Sequence, residues 1–189
     1  FADRNIGLQD GAVQVTRRLW ADQGGVSAVE FAICLPFIVL LYLGGYQLSD
    51  SISAYRKVTA ATRTVADLTS QSTSVTASDL DTILNASTQI LSPYKISAAK
   101  LTVSQIYTDP NGVSTVDWSR GLNINALTKG TSFTLPGTIK QNGTYVIVAS
   151  INYTYTPAAG LALLGSIPMR DQIIMSPRAS NSVTGVNVS

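Results

Sequence analysis

Apolar residues run almost unbroken from Val26 to Leu48 and then thin into a periodic pattern. Between Asp22 and Asp50 a single charge interrupts the run, Glu30, which is also the sole glutamate of the chain. A helix over Val26–Leu48 would be roughly 34 Å long, enough to cross a hydrocarbon core. A carboxylate inside such a segment costs about 2–3 kcal/mol at the bilayer centre and less near its edge, so it points to a function. The bland reading places Glu30 in the headgroup region. Pro36 near the middle of the run removes one backbone hydrogen bond and kinks the segment. Gly44 and Gly45 add a soft point near its end.

Beyond Leu48 the pattern becomes amphipathic. Leu48, Ile52, Tyr55, Val58, Thr62, Val65 and Leu68 recur at spacings of three and four, which predicts a buried helical stripe. Asp50, Arg56, Lys57, Arg63 and Asp67 fall on the polar side. One helix from about Ser27 to about Ser70 is expected. The Ser- and Thr-rich stretch 70–78 reads as a loop. Ser78 is placed to cap a second helix, with Asp79 and Asp81 at its positive end. Leu80, Ile83, Leu84, Ser87, Ile90 and Leu91 give that helix an apolar face, and Pro93 ends it.

The remainder reads as antiparallel sheet. Leu101, Val103, Gln105 and Tyr107 alternate, Asp109-Pro110-Asn111-Gly112 is a turn, and Val113 to Trp118 returns as a hairpin. Residues 119–143 show no clear order beyond a short strand at Phe133-Thr134-Leu135-Pro136. Tyr145, Ile147, Ala149, Ile151, Tyr153 and Tyr155 form the clearest strand. Leu161–Leu164 is an apolar bridge, and Met169, Asp171, Ile173 and Met175 form a last strand ended by Pro177. The polar tail from Ala179 is expected to fray. Tyr145, Tyr153 and Tyr155 offer a platform for a sugar or peptide, but tyrosine's strand preference favours the half-buried face of a sheet. The fold class is therefore α+β, with a long N-terminal transmembrane and amphipathic helix, a second helix, and an antiparallel sheet of about four strands. The expected division is a leader 1–25, a helix 26–70 and an α+β domain 71–189.

Composition narrows the chemistry. The chain has 189 residues, a formal net charge of +2, one cysteine and no histidine. The absence of histidine removes Ser-His-Asp and Cys-His arrangements and the usual zinc sets. Cys34 lies in the apolar run and has no intrachain partner; small apolar packing is its expected role. No phosphate-binding glycine loop or EF-hand loop is present, so neither cofactor nor metal is expected. Past residue 25 no basic cluster is interleaved with aromatics, which argues against nucleic acid. Arg56, Lys57 and Arg63 suit a solvated or headgroup-facing surface. Asp79 with Asp81, and Asp109 with Asp117, are the available acid pairs. All four sit where acids serve local structure, so an enzyme is not expected.

Gly25 stands five positions before Glu30 at the start of the apolar run. This resembles the prepilin cleavage site of type IV-like pilins, where a peptidase cuts after glycine and the acid becomes the fifth mature residue. The stretch Ser27-Ala28-Val29-Glu30-Phe31-Ala32-Ile33-Cys34-Leu35-Pro36 resembles more specifically the TadE/TadG-like proteins of Flp (tight-adherence) pilus assembly. Ala61 to Gln71, Tyr153 to Pro157 and Ser176-Pro177-Arg178 are similar to that family as well. The resemblance implies a minor pilin, pseudopilin or assembly component of a Flp/Tad-type adherence and secretion system. Gly25 and Val26 would be its processing residues, and Glu30, Phe31 and Pro36 its assembly residues. The implied partners are the inner membrane, other pilins, Tad secretion and assembly proteins, and a prepilin peptidase if the leader is removed. Charges flank both ends of the run, with Arg17 and Arg18 before it, so counting them leaves orientation open. The resemblance implies a cytoplasmic N-terminus, because the peptidase acts at that face, and a periplasmic C-terminal domain. The competing expectation is a single-pass, membrane-anchored periplasmic binding or sensing domain. It would need a defined pocket and no Glu30.

Overall fold

The computed structural model describes residues 24–157, 165–186 and 188. The expected leader up to residue 23, with Arg17 and Arg18, and the Leu161–Leu164 bridge lie outside the described residues. Two compact units divide between Tyr46 and Gln47. Helix α1, Gly24–Ser70, is 47 residues long and contributes to both, with Pro36 inside it.

In the first unit every described side chain up to Leu41 is exposed. Val29, Phe31, Ile33, Phe37 and Leu41 stand among the exposed large apolar residues. In water such a surface is costly, at about 25 cal/mol per Å² of apolar area. Among the described residues α1 is the one helix long and apolar enough to cross a membrane. A bilayer resolves both the apolar surface and the helical backbone, since every peptide group of a helix is satisfied internally.

The second unit has the expected α+β class. Strand β1 is Ser74–Thr76, and helix α2 is Ala77–Thr88. Strands β2 (Ala99–Thr108), β3 (Ser114–Leu122), β4 (Thr144–Tyr155) and β5 (Ile167–Met175) follow, then β6 (Thr184–Val186). The main sheet is four-stranded in the order β3-β2-β4-β5, and each neighbouring pair is antiparallel. One face packs Leu101, Val103, Ile147, Ala149, Ile151, Tyr153, Tyr155 and Met169 against α1 residues Ala54, Val58, Ala61 and Val65 and against Leu80 and Leu84 of α2. Tyr153 and Tyr155 are thus core residues, as the sheet-face reading of the tyrosine row has it. The opposite face carries a smaller cluster of Ile106, Val116, Leu135, Val146 and Val148. The change of face falls on β3, where Trp118 belongs to the first cluster and Val116 to the second. It comes at a register shift between Gln105 and Ile106 of β2, which leaves Asp117 as an extra residue on β3.

Several sequence expectations are corrected. The outer half of α1 does not bury the stripe of largest residues. Leu48, Ile52, Tyr55 and Leu68 are exposed, while Gln47, Ser51, Ala54, Ala61, Ala66, Thr69 and Ser70 are buried beside the expected Val58, Thr62 and Val65. Small side chains let the helix backbone approach the sheet. Much of the polarity on this face is satisfied within the helix. Ser51, Thr62 and Ser70 donate to the carbonyls of Leu48, Val58 and Asp67 at 2.8–2.9 Å. A buried hydroxyl with a partner avoids most of its desolvation cost, so a polar stripe becomes a core face.

Helix α2 is capped by Thr76, not Ser78. The Thr76 hydroxyl accepts from the Asp79 amide, and the Asp79 carboxylate accepts from the Thr76 amide at 2.9 Å, a reciprocal capping box. These bonds, the Thr76 backbone amide first, hold the Asp79 carboxyl below the usual range. Within the expected 70–78 loop, Ser74–Thr76 forms β1. Phe133–Leu135 is not a strand; Ser132 makes an isolated bridge to Thr115, and Leu135 is buried over the second face. Up to Val186 the tail is ordered rather than frayed. Strand β6 pairs in parallel with β1, and Val183 is fully buried. Val183 is held at both polar atoms: its amide donates to Gln105 Oε1 at 2.7 Å, and its carbonyl accepts from Trp118 Nε1 at 2.8 Å.

Candidate functional site

The expected processing and assembly residues all lie in the first unit, on α1. Gly25 and Val26 occupy its first turn, and Glu30 follows Val26 by four positions, which puts the two on one helix face. Glu30 and Phe31 are exposed, Phe31 by 61%. Glu30 is the one Asp, Glu, Lys or Arg between Gly24 and Asp50, in a largely apolar surface. Pro36 stands six residues on and cannot donate to the Ala32 carbonyl, freeing one acceptor inside the segment. A side chain built on Gly25, Gly44 or Gly45 would meet nothing within 4 Å, so these glycines leave bare backbone for a neighbour to approach. Chemically this surface can pair one buried-type carboxylate with a cation and can pack helices closely.

The acids once available as catalytic pairs are each engaged in structure. Asp79 belongs to the capping box. Asp81 takes a two-pronged bond from Arg120, with Nε to Oδ1 and Nη2 to Oδ2 both 2.7 Å. That pairing holds the Asp81 carboxyl below, and the Arg120 guanidinium above, their usual ranges. Asp109 accepts the Val113 amide at 2.7 Å to close the hairpin turn. Asp117 accepts from Gln105 at 2.8 Å and from Lys129 at 3.2 Å. None of the four faces another acid across a cleft.

Sequence reasoning missed a joint at the first turns of the second unit. Asp50, the first charge after the apolar run, accepts from Tyr94 at 2.7 Å on Oδ1 and from the Tyr155 hydroxyl on Oδ2. The two rings meet edge to face with centroids 5.9 Å apart. Lys57, on the next turns of α1, donates to the Ser92 carbonyl. Burial pushes the nearby Tyr153 hydroxyl upward in pKa, opposed by a hydrogen bond with the Lys95 backbone and assisted by the Asp50 charge. The partners of Asp50 are 44 and 105 residues away, so no local pattern announces them. Asp50→Asn keeps the shape but weakens both bonds. It is expected to destabilise the second unit by about 1.5–3 kcal/mol. Urea unfolding of the full chain in detergent, followed by tryptophan fluorescence, measures this; an unchanged midpoint would contradict it.

At the far end of α1, Asp67 pairs with Arg178 at 2.7 Å, and the Arg178 amide donates to the Ser70 carbonyl at 2.8 Å. This ties the end of the helix to the segment after β5. Both stretches, around Asp67 and at Ser176-Pro177-Arg178, are among those that resemble the pilus-assembly family. The exposed ion pair adds little energy, about 1 kcal/mol or less, but fixes the register of the two segments.

Comparison with known families places the similarity on the same helix. Residues 25–67 match the family described as TadE-like protein. The match starts at Gly25 and covers nearly all of α1, well under half of the chain. No curated protein and no solved structure gives a significant match. The TadE-like match and the apolar helix together fit a membrane-anchored protein of the Tad pilus type.

Proposed function

We propose that this chain is a minor pilin, pseudopilin or assembly component of a Flp/Tad-type adherence and secretion system. In this reading α1 spans the inner membrane with its N-terminus in the cytoplasm, and the second unit stands in the periplasm. The chain acts through its N-terminal helix rather than through catalysis. The observation that carries the reading is a coincidence on one element. The segment matching TadE-like proteins contains the exposed apolar run of α1, and the one charge in that run before Asp50 is Glu30. Glu30, Phe31 and Pro36 serve assembly. Other pilins, Tad secretion and assembly proteins, and a prepilin peptidase are the partners. Deleting the gene tests this: loss of surface pili, restored by the wild-type chain, is expected, and undiminished piliation would contradict it.

The anchored binding or sensing alternative needs a defined pocket. A depression of about 800 Å³ is lined by Thr138, Tyr145, Ser176 and Asn181, with no charged side chain in its lining.

Processing after Gly25 belongs to the same proposal. Gly25 and Val26 lie in the first helical turn, where backbone amides lack intrahelical partners, so unwinding to an extended backbone costs little. A glycine before the cut accepts that backbone most readily. Gly25→Leu is expected to block cleavage and leave the membrane-bound protein heavier by its leader, read by mass spectrometry. Equal masses for the two proteins, with the leader present in both, would end the processing idea and spare the anchor.

A further inference from the structure

The outer face of the sheet, opposite α1, carries charge that the assembly reading does not use. Lys100 on β2, Asn152 on β4 and Arg170 on β5 are direct cross-strand neighbours, and all three are exposed. Alternation along the strands turns them away from Ala99, Tyr153 and Met169, which face the core. Two strand spacings separate the cationic side chains by about 10 Å, so both heads reach the space above Asn152. The adjoining rows, Thr154 with Pro168 and Thr102 with Ser150 and Gln172, are uncharged. Among the described residues neither Lys100 nor Arg170 forms an ion pair. Asp171, next in sequence to Arg170, points to the opposite face. With Thr154 and Ile124 the row lines a depression of about 410 Å³. Two cations, an amide and a hydroxyl around one depression suit a phosphate, which takes a forked guanidinium and a point ammonium charge together.

The position of the row selects the source of that phosphate. Asn152 precedes Tyr155 by three residues on β4, roughly 10 Å of strand. The Tyr155 hydroxyl is bonded to Asp50, four residues after Tyr46 in α1. The row thus lies at the end of the second unit that follows directly on the apolar run. Arg56, Lys57 and Lys95 share that end, where the one acid of the joint, Asp50, has both oxygens occupied by tyrosines. Basic side chains beside a span are drawn to an anionic leaflet. We propose that Lys100, Asn152 and Arg170 bind the phosphate of an anionic phospholipid headgroup, docking the sheet face on the membrane. The proposal rests on the anchored reading of α1.

The test uses the full chain in lipid nanodiscs, with Cys34→Ser and a nitroxide on Asn125→Cys, an exposed position beside Ile124. Accessibility of the nitroxide to a water-soluble nickel chelate is compared in phosphatidylcholine and in mixtures with phosphatidylglycerol. Phosphatidylglycerol is expected to lower it about two-fold or more in the parent chain and not in the Lys100→Ala/Arg170→Ala variant. Arg63→Ala, which removes a charge elsewhere, should behave as the parent. No effect of phosphatidylglycerol, or an equal effect in the double variant, overturns the proposal. Equal protection in phosphatidylcholine by inorganic phosphate assigns the row to a free anion, and by a soluble acidic polysaccharide to a glycan; either result overturns the lipid. Failure of the chain to enter nanodiscs at all instead overturns the anchored reading.

Discussion

Glu30→Gln is expected to leave the protein in the membrane and to remove most or all of it from assembled pili. Cleavage after Gly25 would give Val26 a new amine, with a reference pKa near 8 and hence positive at neutral pH. Glu30 is then the fifth residue, one helical turn from its own amine and equally able to meet that of a neighbouring subunit. An isolated charge in low dielectric is expensive, whereas a paired one is largely compensated. A subunit docked in the correct register pairs its carboxylate; a subunit in any other register keeps it alone. Glutamine retains shape and hydrogen bonding but removes the charge, and alanine removes both. Both variants should insert normally, or better, since the cost of the buried acid has gone. Counting pili and the chain's share in the membrane fraction checks this. Normal piliation in both variants would remove Glu30 from the mechanism.

The largest expected effect on folding is at Trp118. Its ring is buried at 3% exposure, its Nε1 holds the Val183 carbonyl, and its face lies against Gly185. A side-chain carbon on Gly185 would stand 2.7 Å from Trp118 Cδ1, so only glycine admits this packing. Trp118→Ala leaves a cavity and an unpaired carbonyl, and is expected to cost about 3–5 kcal/mol. It should also release β6 from β1. Trp118→Phe keeps most of the apolar area but loses the donor, and is expected to cost about 1–3 kcal/mol. Gly185→Ala attacks the same contact from the other side. Denaturant midpoints, with amide exchange at 183–186, read both effects. Full protection of those amides in Trp118→Ala would contradict the account of the tail.

What the sequence revealed and concealed follows from the range of the interactions. Uninterrupted apolarity from Val26 and strict alternation from Tyr145 to Tyr155 are local signals, and both elements appear where they predict. The buried face of α1 is legible only in part: the spacing predicts Val58, Thr62 and Val65, which are buried, and also Leu48, Ile52, Tyr55 and Leu68, which are exposed. Close approach of the sheet selects small residues such as Ser51, Ala54 and Ala61 beside the expected Val58, Thr62 and Val65, and local hydroxyl–carbonyl bonds hide the polarity of Ser51 and Thr62. The cap of α2 was missed because β1 occupies what reads as a polar loop, so that Thr76 ends a strand and caps a helix at once. The ordered tail depends on Gln105 and Trp118, far from Val183 in sequence, and its own composition of Ser, Asn and Gly gives no sign of burial. Glu30 was legible because a lone acid in an apolar run is conspicuous in one dimension. Asp50 was not, because its meaning comes from Tyr94 and Tyr155.

The central claim is that α1 meets other pilus-system subunits inside the membrane through the surface around Glu30. Site-specific photo-crosslinking from Val29, on the exposed surface beside Glu30, tests it in intact cells. The account predicts covalent adducts with other pilin-type or Tad-system proteins, identified by mass spectrometry, and their loss in Glu30→Gln. Adducts with lipid alone in the wild-type background, or protein adducts that persist unchanged in Glu30→Gln, would contradict it.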